Sequence, residues 1–123
     1  MPQVYAHLPA PRFAGFARQF AAFGLGVELY LPAPWLDTAP AAELERLAQT
    51  GAELKLDFIL HAPFMSLDCG AYDPEVLAVS RRRLRQAADI ARRLNATSMV
   101  CHTGYVPFAY EKIEDQWLDL QAE

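Results

Sequence analysis

The sequence is poor in cysteine and in net charge, and it has no long apolar run. Its two cysteines, Cys69 and Cys101, fall in a glycine-containing loop and in a predicted strand, and we expect both to be reduced thiols. Residues 1–8 include His7 and no long apolar stretch, so they show neither a secretory signal nor a membrane span. A cytoplasmic location without a membrane partner is the resulting expectation.

The charge balance and the missing motifs exclude further function classes. A net charge of −4 offers no general attraction for nucleic acid or for an anionic membrane surface, so we do not expect a nucleic-acid partner. Gly-rich phosphate loops, nucleophile elbows and Cys-x-x-Cys pairs are missing as well. The chemistry must therefore rest on other residues.

The length of the chain limits its architecture. Its 123 residues allow one domain with a real core. They are only about half of the roughly 250 residues that a closed barrel of eight alternating strands and helices needs. Because the sequence shows no linker and no low-complexity segment, we predict a single domain over residues 1–123.

Hydrophobic periodicity divides the chain into alternating strands and helices. Apolar residues recur at every second position in the predicted strands and at every third or fourth position in the predicted helices. Because each crossover has the length of a helix, the pattern favours a parallel sheet with right-handed connections. The predicted fold class is α/β, a parallel (βα)4 unit that stops within its fourth helix. The predicted strands cover residues 3–8, 27–31, 56–61 and 98–101, and the predicted helices cover 12–23, 39–50, 73–94 and 113–123.

Capping residues mark the predicted helix ends. Gly24, Gly51 and Asn95 follow the first three helical patterns, and glycine and asparagine adopt the left-handed conformation of a helix stop most readily. Asp73 is the expected N-cap of the third helix. The arginine-rich stretch of that helix, residues 81–93, is expected to lie on its solvated outer face.

Two histidines stand at the ends of predicted strands. His61 closes the apolar strand 56–61, and His102 follows the strand 98–101. Parallel strands bring both imidazoles to the C-terminal edge of the sheet, where α/β proteins place ligands and metals. Because neighbouring strands lie about 4.8 Å apart, we expect the two side chains within roughly 10 Å of each other, close enough to share a metal ion.

One face of the predicted sheet is polar. If the apolar strand residues face the helices, the two-residue period turns polar side chains to the opposite face. Strands buried on both faces would be apolar throughout, so this polar face indicates a ligand cleft or a barrel interior. Glu28 needs a partner there, such as His61 or a bound substrate, because an unpaired buried carboxylate is costly. The polar residues of this face are His7, Glu28, Tyr30, Asp57, His61, Ser98 and His102.

Two segments resemble a known family. The first is Phe58-Ile59-Leu60-His61-Ala62-Pro63-Phe64-Met65, followed by Leu67-Asp68 and Gly70, and the second is Val100-Cys101-His102-Thr103-Gly104-Tyr105. In this order they resemble the xylose isomerase-like TIM-barrel superfamily, which includes sugar phosphate isomerases and epimerases and the endonuclease IV type of abasic-site nuclease. The resemblance covers nearly the whole chain and implies the N-terminal half of a TIM barrel.

The resemblance also implies residue roles. In the nuclease branch the histidines of strands three and four bind metal, which implies that His61 and His102 are metal ligands. In the isomerase branch early histidines tend to contact substrate, while acids and a histidine of strands five to eight hold the metal. His7 and Glu28, together with Tyr105, whose ring could stack on a sugar, are predicted to bind substrate. The implied cofactor is Zn²⁺, Mn²⁺ or Mg²⁺ in the complete barrel; two histidines alone leave such an ion short of ligands, so this chain by itself is expected to hold none.

The predicted function is that of a fragment of a metal-dependent sugar or sugar phosphate isomerase or epimerase, with a small sugar or sugar phosphate as its substrate. The chain by itself is expected to be inactive because acids of later strands are missing. An abasic-site endonuclease is one alternative, against which the net charge of −4 stands. A non-catalytic, self-associating half barrel is the other. Open edges at the first and fourth strands invite pairing with another chain, so we expect a homodimer.

Overall fold

Four parallel strands form one sheet in the computed structural model, which describes residues 3–123. The strands are β1 (Tyr5–Pro9), β2 (Gly26–Tyr30), β3 (Phe58–His61) and β4 (Met99–Val100). Their order in the sheet is the order in the sequence, and helical structure follows each strand. The predicted α/β class and the parallel (βα)4 unit are therefore confirmed.

Helices connect the strands and follow the last one. The helix α1 begins after a single 3-10 turn at Ala10–Arg12, and Asp73 caps α4 by accepting from the backbone N–H of Glu75 at 2.8 Å. None of the helices within residues 3–123 is long and apolar enough to cross a membrane. The helices are α1 (Phe13–Ala22), α2 (Ala33–Thr38), α3 (Ala41–Glu53), α4 (Pro74–Arg93), α5 (Pro107–Tyr110) and α6 (Glu114–Ala122).

The short helix α2 is missing from the sequence prediction. Strand β2 ends at Tyr30, and Pro34 then occupies the first turn of α2, where a missing backbone N–H costs nothing. The helix is too short to show an apolar period, and its buried residue is Trp35. The indole N–H of Trp35 donates to Oε1 of Glu43 at 3.3 Å, which ties α2 to the start of α3.

The sheet separates apolar from polar side chains as the alternation predicts. Val27 and Leu29 of β2 are fully buried, and each such aliphatic side chain stabilises the fold by about 1.5–3 kcal/mol. Glu28 lies between them and therefore faces the opposite side of the sheet. The register pairs Val27 with Phe58 and Leu29 with Leu60, so the apolar face continues into β3. The buried core includes Leu8, Phe13, Ala17, Val27, Leu29, Leu31, Leu47, Phe58, Leu60, Ala87, Ile90 and Leu94.

Three helices end in the same left-handed turn before their strands. Gly24, Lys55 and Asn95 have φ angles of 65°, 54° and 51°. In each turn the next backbone N–H bonds to the carbonyl five residues back, as Leu56 does to Gly51 at 2.9 Å. This is the Schellman motif, which satisfies carbonyls at the helix end. The same turn therefore leads the chain from a helix into β2, β3 and β4 in succession.

The prediction that Gly51 ends the second long helix is wrong. Helix α3 continues to Glu53, and Lys55 takes the left-handed position. Gly51 meets a packing requirement instead, because a Cβ at this position would lie 2.5 Å from the ring of Phe58. That ring comes from β3, so local sequence could not distinguish a packing glycine from a helix stop.

The prediction of a fully solvated arginine face on α4 is wrong for Arg83. The Arg83 side chain is only 11% exposed, and its two Nη atoms donate to the two carboxylate oxygens of Asp37 at 2.5 Å each. The guanidinium lowers the pKa of Asp37 through this hydrogen-bonded pair. Because Asp37 lies in α2, the pair ties α2 to α4.

Replacing Lys55 with glycine should stabilise the protein. A non-glycine residue at a φ of 54° is strained, and glycine relieves that strain, so we expect a gain of roughly 1 kcal/mol in the free energy of unfolding. Urea unfolding followed by circular dichroism measures the change. Lys55→Ala is the control, since it removes the side chain and keeps the strain. An equal gain in both variants would contradict the explanation.

Candidate functional site

His61 lies at the centre of a chain of polar contacts on the inner face of the sheet. Its Nδ1 atom is 2.7 Å from Oε1 of Glu28, and its Nε2 atom is 3.0 Å from Nε2 of His102. Glu28 comes from β2, His61 ends β3, and His102 follows β4. The distance between the two imidazoles agrees with the expectation of roughly 10 Å or less, because both lie at the C-terminal edge of neighbouring strands.

The hydrogen bond to Glu28 sets the proton positions of this chain. A carboxylate only accepts, so the Nδ1 atom of His61 carries the proton and donates it to Glu28. The Nε2 atom of His61 then presents a lone pair towards Nε2 of His102. Two nitrogens 3.0 Å apart need a proton or a cation between them, because two lone pairs at this distance repel. The arrangement therefore suits a proton-sharing pair or a metal ion.

The pKa of Glu28 reflects these contacts. The hydrogen bond from His61 lowers the pKa of the carboxyl below its usual value, and the nearby His7 acts in the same direction. Burial opposes the change but does not outweigh it. Glu28 is thus an ionised acceptor in the folded protein at neutral pH.

His7 widens the cluster. Its Nδ1 atom lies 3.7 Å from Oε1 of Glu28, and its side chain is 51% exposed. Three residues, His7, Glu28 and His61, each offer one possible ligand atom, and these three atoms lie within 4.8 Å of one another. The structure therefore offers two ligand sets that share His61: the pair of His61 and His102, or the group of His7, Glu28 and His61. The sequence had assigned His7 and Glu28 to substrate.

Aromatic rings enclose the imidazoles. The ring of Phe64 stacks on His102 with 4.4 Å between centroids and also lies 5.5 Å from the ring of His61. Tyr30 packs edge-on against His61 at 5.7 Å. Sequence reasoning gave Phe64 no role, although it belongs to the segment that carries the family resemblance. These ring contacts limit the rotation of the imidazoles, while the His102 side chain remains exposed.

Tyr105, predicted to bind substrate, lies away from the Glu28 side of the cluster. Its hydroxyl group donates to Oε1 of Glu114 at 3.0 Å, and its ring lies 4.9 Å from that of Trp117. Tyr105 and His102 line the same open depression of about 610 Å³ between the loops that follow β3 and β4. The structure thus brings His7, Glu28, His61 and His102 together and leaves Tyr105 at the rim.

A second polar cluster surrounds the buried Asp68, for which the sequence pattern predicts no role. The Oδ1 atom accepts from the backbone N–H of Gly70 at 2.8 Å and from the indole N–H of Trp117 at 2.9 Å. The other oxygen accepts from the hydroxyl group of Tyr110, and this bond raises the pKa of Tyr110 to about 12. A Cβ on Gly70 would lie 2.5 Å from the indole of Trp117. The Asp68 cluster fixes α6 and the loop after β4 against the loop after β3.

Comparison with known proteins agrees with the fold. A family model described as xylose isomerase-like TIM barrel matches residues 18–122. The chain belongs to this family. The resemblance inferred from the two histidine segments is therefore confirmed, whereas a search of curated protein sequences finds no match.

Solved structures resemble this half barrel over nearly its whole length. The TTHB071 protein from Thermus thermophilus, soaked with ZnCl2, is 27% identical with a TM-score of 0.79, and the match covers 97% of this chain and 48% of that one. A D-tagatose 3-epimerase-like protein is 17% identical with a TM-score of 0.75, covering 97% and 45%. Endonuclease IV from Thermus thermophilus is 22% identical with a TM-score of 0.59, covering 99% and 48%. The chain therefore spans about half the length of these structures.

Tyr110→Phe should destabilise the protein in a pH-dependent way. At neutral pH the variant leaves the buried Asp68 without one of its donors, at a cost of about 1–3 kcal/mol. Because the pKa of Tyr110 is raised from 10.0 to about 12, its contribution is fully present below pH 10 and is lost as the pH rises through that window. Urea unfolding at several pH values measures the convergence of the variant with the wild type.

Tyr72→Phe is the matched control for this measurement. The Tyr72 side chain is exposed, so removing its hydroxyl group should change the free energy of unfolding by less than about 0.5 kcal/mol at any pH. Ultraviolet absorbance of tyrosinate should show a group that ionises near pH 12 and is missing from the Tyr110→Phe variant. Equal destabilisation by the two substitutions would contradict the role of the Asp68 cluster.

Proposed function

We propose that this chain is the N-terminal half of a metal-dependent sugar or sugar phosphate isomerase or epimerase, and that His61 and His102 contribute to its metal site. The observation that carries the proposal is the chain of contacts from Glu28 through His61 to His102, at the edge where barrel enzymes place their chemistry. Family membership supports it, because the chain belongs to the xylose isomerase-like barrels. We propose a cytoplasmic location, where the exposed Cys101 would stay reduced.

The residues present fit a divalent metal ion. The Nε2 atoms of His61 and His102 would hold it, and Glu28 would fix the ring of His61 through Nδ1, as carboxylates commonly do for metal-bound histidines. A ZnCl2 soak of the TTHB071 structure makes zinc the first ion to test. When bound, such an ion polarises the carbonyl and the adjacent hydroxyl group of a sugar.

The protein residues would prepare the site for a small polar substrate. Glu28 and the half-exposed His7 offer an acceptor and a donor for sugar hydroxyl groups on the open face of the sheet. Phe64 stacks on one face of His102 and would hold that imidazole in position. The net charge of −4 favours a small substrate over a nucleic acid, whose phosphates the protein would repel.

Zinc titration distinguishes the two ligand sets. If His61 and His102 bind the ion, His102→Ala should abolish binding, and Glu28→Gln should weaken it about 10–100-fold by freeing the ring of His61. Isothermal titration calorimetry near neutral pH measures both effects. Glu45→Gln is the control, because it removes a carboxylate from the exposed face of α3.

A larger effect of Glu28→Gln than of His102→Ala on zinc binding would support the second ligand set. If His7, Glu28 and His61 bind the ion, His102→Ala should leave binding nearly unchanged while Glu28→Gln abolishes it. Absence of zinc binding to the wild type, with Co²⁺ and Mn²⁺ equally unbound, would contradict the metal-centre proposal.

The isolated chain should not convert D-tagatose or a ketose phosphate, even with zinc or manganese added. Two histidines and one carboxylate can stabilise only part of the charge of the transition state, and the chain spans about half of the structures that it matches. Product analysis by chromatography measures conversion. Turnover that chelation abolishes would show that residues 1–123 already contain a complete catalytic set.

A further inference from the structure

The sheet has two edges without a partner in the part of the chain that the structure describes. The strand β1 pairs only with β2, and β4 pairs only with β3. The inner face between these edges is also open, with His7 51% exposed and Val100 38% exposed. Open parallel edges present unpaired backbone groups that favour pairing with another strand.

We propose that a second copy of this chain closes the sheet into an eight-stranded barrel and completes the metal site. In this arrangement β4 of each copy pairs with β1 of the other around a two-fold axis along the barrel. His7 of the second copy then lies beside His102 of the first. Each barrel would hold two equivalent sites, and each site would combine His61 and His102 of one copy with His7 of the other.

The observed register leads to this pairing. The strand pairing places four residues side by side on a line that crosses all four strands: Pro9, Tyr30, His61 and Val100. A barrel of this type has a shear of about eight residues around its circumference, and hence about four across each half. The line starts at Pro9 of one copy, so after half the circumference it reaches β1 of the second copy four residues before or after that position. The partner of Val100 is therefore Tyr5 or Phe13.

Only one of these two positions lies in a strand. Phe13 begins α1, whereas Tyr5 begins β1, so Val100 pairs with Tyr5. Two residues further along both chains, His102 lies opposite His7. Both histidines belong to the inner face, since His102 contacts His61 and His7 contacts Glu28. Shear and register thus place His7 of one copy opposite His102 of the other.

The chemistry of the site favours a second copy over an unrelated partner. His61 and His102 supply only two of the donors that a bound zinc ion needs, and a third histidine is a common addition. One two-fold operation also pairs both open edges, each β4 with the β1 of the other copy, which leaves no edge exposed. The assignment of His7 as a ligand rests on the proposed metal site, whereas the strand pairing does not.

Mass and cross-linking test the assembly without any metal. Light scattering should give twice the monomer mass of 13.8 kDa. In a Cys101→Ser background, Tyr5→Cys combined with Val100→Cys should yield a covalent dimer on mild oxidation. Register partners lie about 4.8 Å apart, within disulfide range, whereas the two edges of one copy are separated by about 14 Å. Each single cysteine variant serves as a control and should stay uncross-linked.

Mixing two variants tests the shared site. His7→Ala and His102→Ala should each lose tight zinc binding when alone. An equimolar mixture, unfolded and refolded together, should regain about a quarter of the wild-type zinc stoichiometry, because half of the dimers are mixed and each contains one intact site. If His7 acts within its own copy, no mixture can restore a site.

The outcomes separate this inference from the proposed function. A mass of 13.8 kDa at all concentrations overturns the barrel dimer even if zinc binds. A doubled mass without the cross-link between positions 5 and 100 overturns it as well, since the copies then associate differently. A cross-linked dimer that binds no zinc supports the strand pairing and contradicts the metal centre. A cross-linked dimer that binds zinc, without recovery in the mixture, overturns the role of His7.

Discussion

The hydrogen bond between Glu28 and His61 connects the fold to the site. It spans 2.7 Å between neighbouring parallel strands, and it exists because the register places β2 and β3 side by side with both residues on the inner face. The carboxylate fixes the proton on Nδ1 and thereby leaves Nε2 of His61 free to face His102. Without this bond the His61 imidazole would be freer to rotate, and its Nε2 atom would no longer be held 3.0 Å from Nε2 of His102.

The two faces of the sheet serve different purposes. On the helix side, fully buried residues such as Val27 and Leu60 supply the stability of the fold. On the inner side, polar residues remain partly exposed, so their desolvation costs are small and their side chains can bind a ligand. A sheet with this asymmetry is stable while its functional face is still open, which is what a half barrel requires.

The Asp68 cluster performs the same positioning role for the loops. Asp68 accepts hydrogen bonds from Trp117 in α6 and Tyr110 in α5, so one carboxylate orients both helices that follow β4. The same loop after β3 carries Phe64, which packs on His102. The loop is therefore fixed at Asp68 on one side and contacts the site at Phe64 on the other.

The sequence by itself determined the strands, the longer helices and the face that carries chemistry, because strand alternation and helix period are local properties. The short helices α2 and α5 do not extend far enough to show a period. The sequence predicted the four parallel strands, the cap at Asp73, the left-handed turn at Asn95 and the polar row that contains His61. Only the tertiary structure decided which distant residues meet. Gly51 packs on Phe58, Arg83 pairs with Asp37, and Asp68 gathers Tyr110 and Trp117. The Arg83 and Asp68 contacts join positions 42 to 49 residues apart, and no local pattern records such a distance. Gly51 and Phe58 are close in sequence but belong to a helix and a strand, and only the packing of these two elements brings them together.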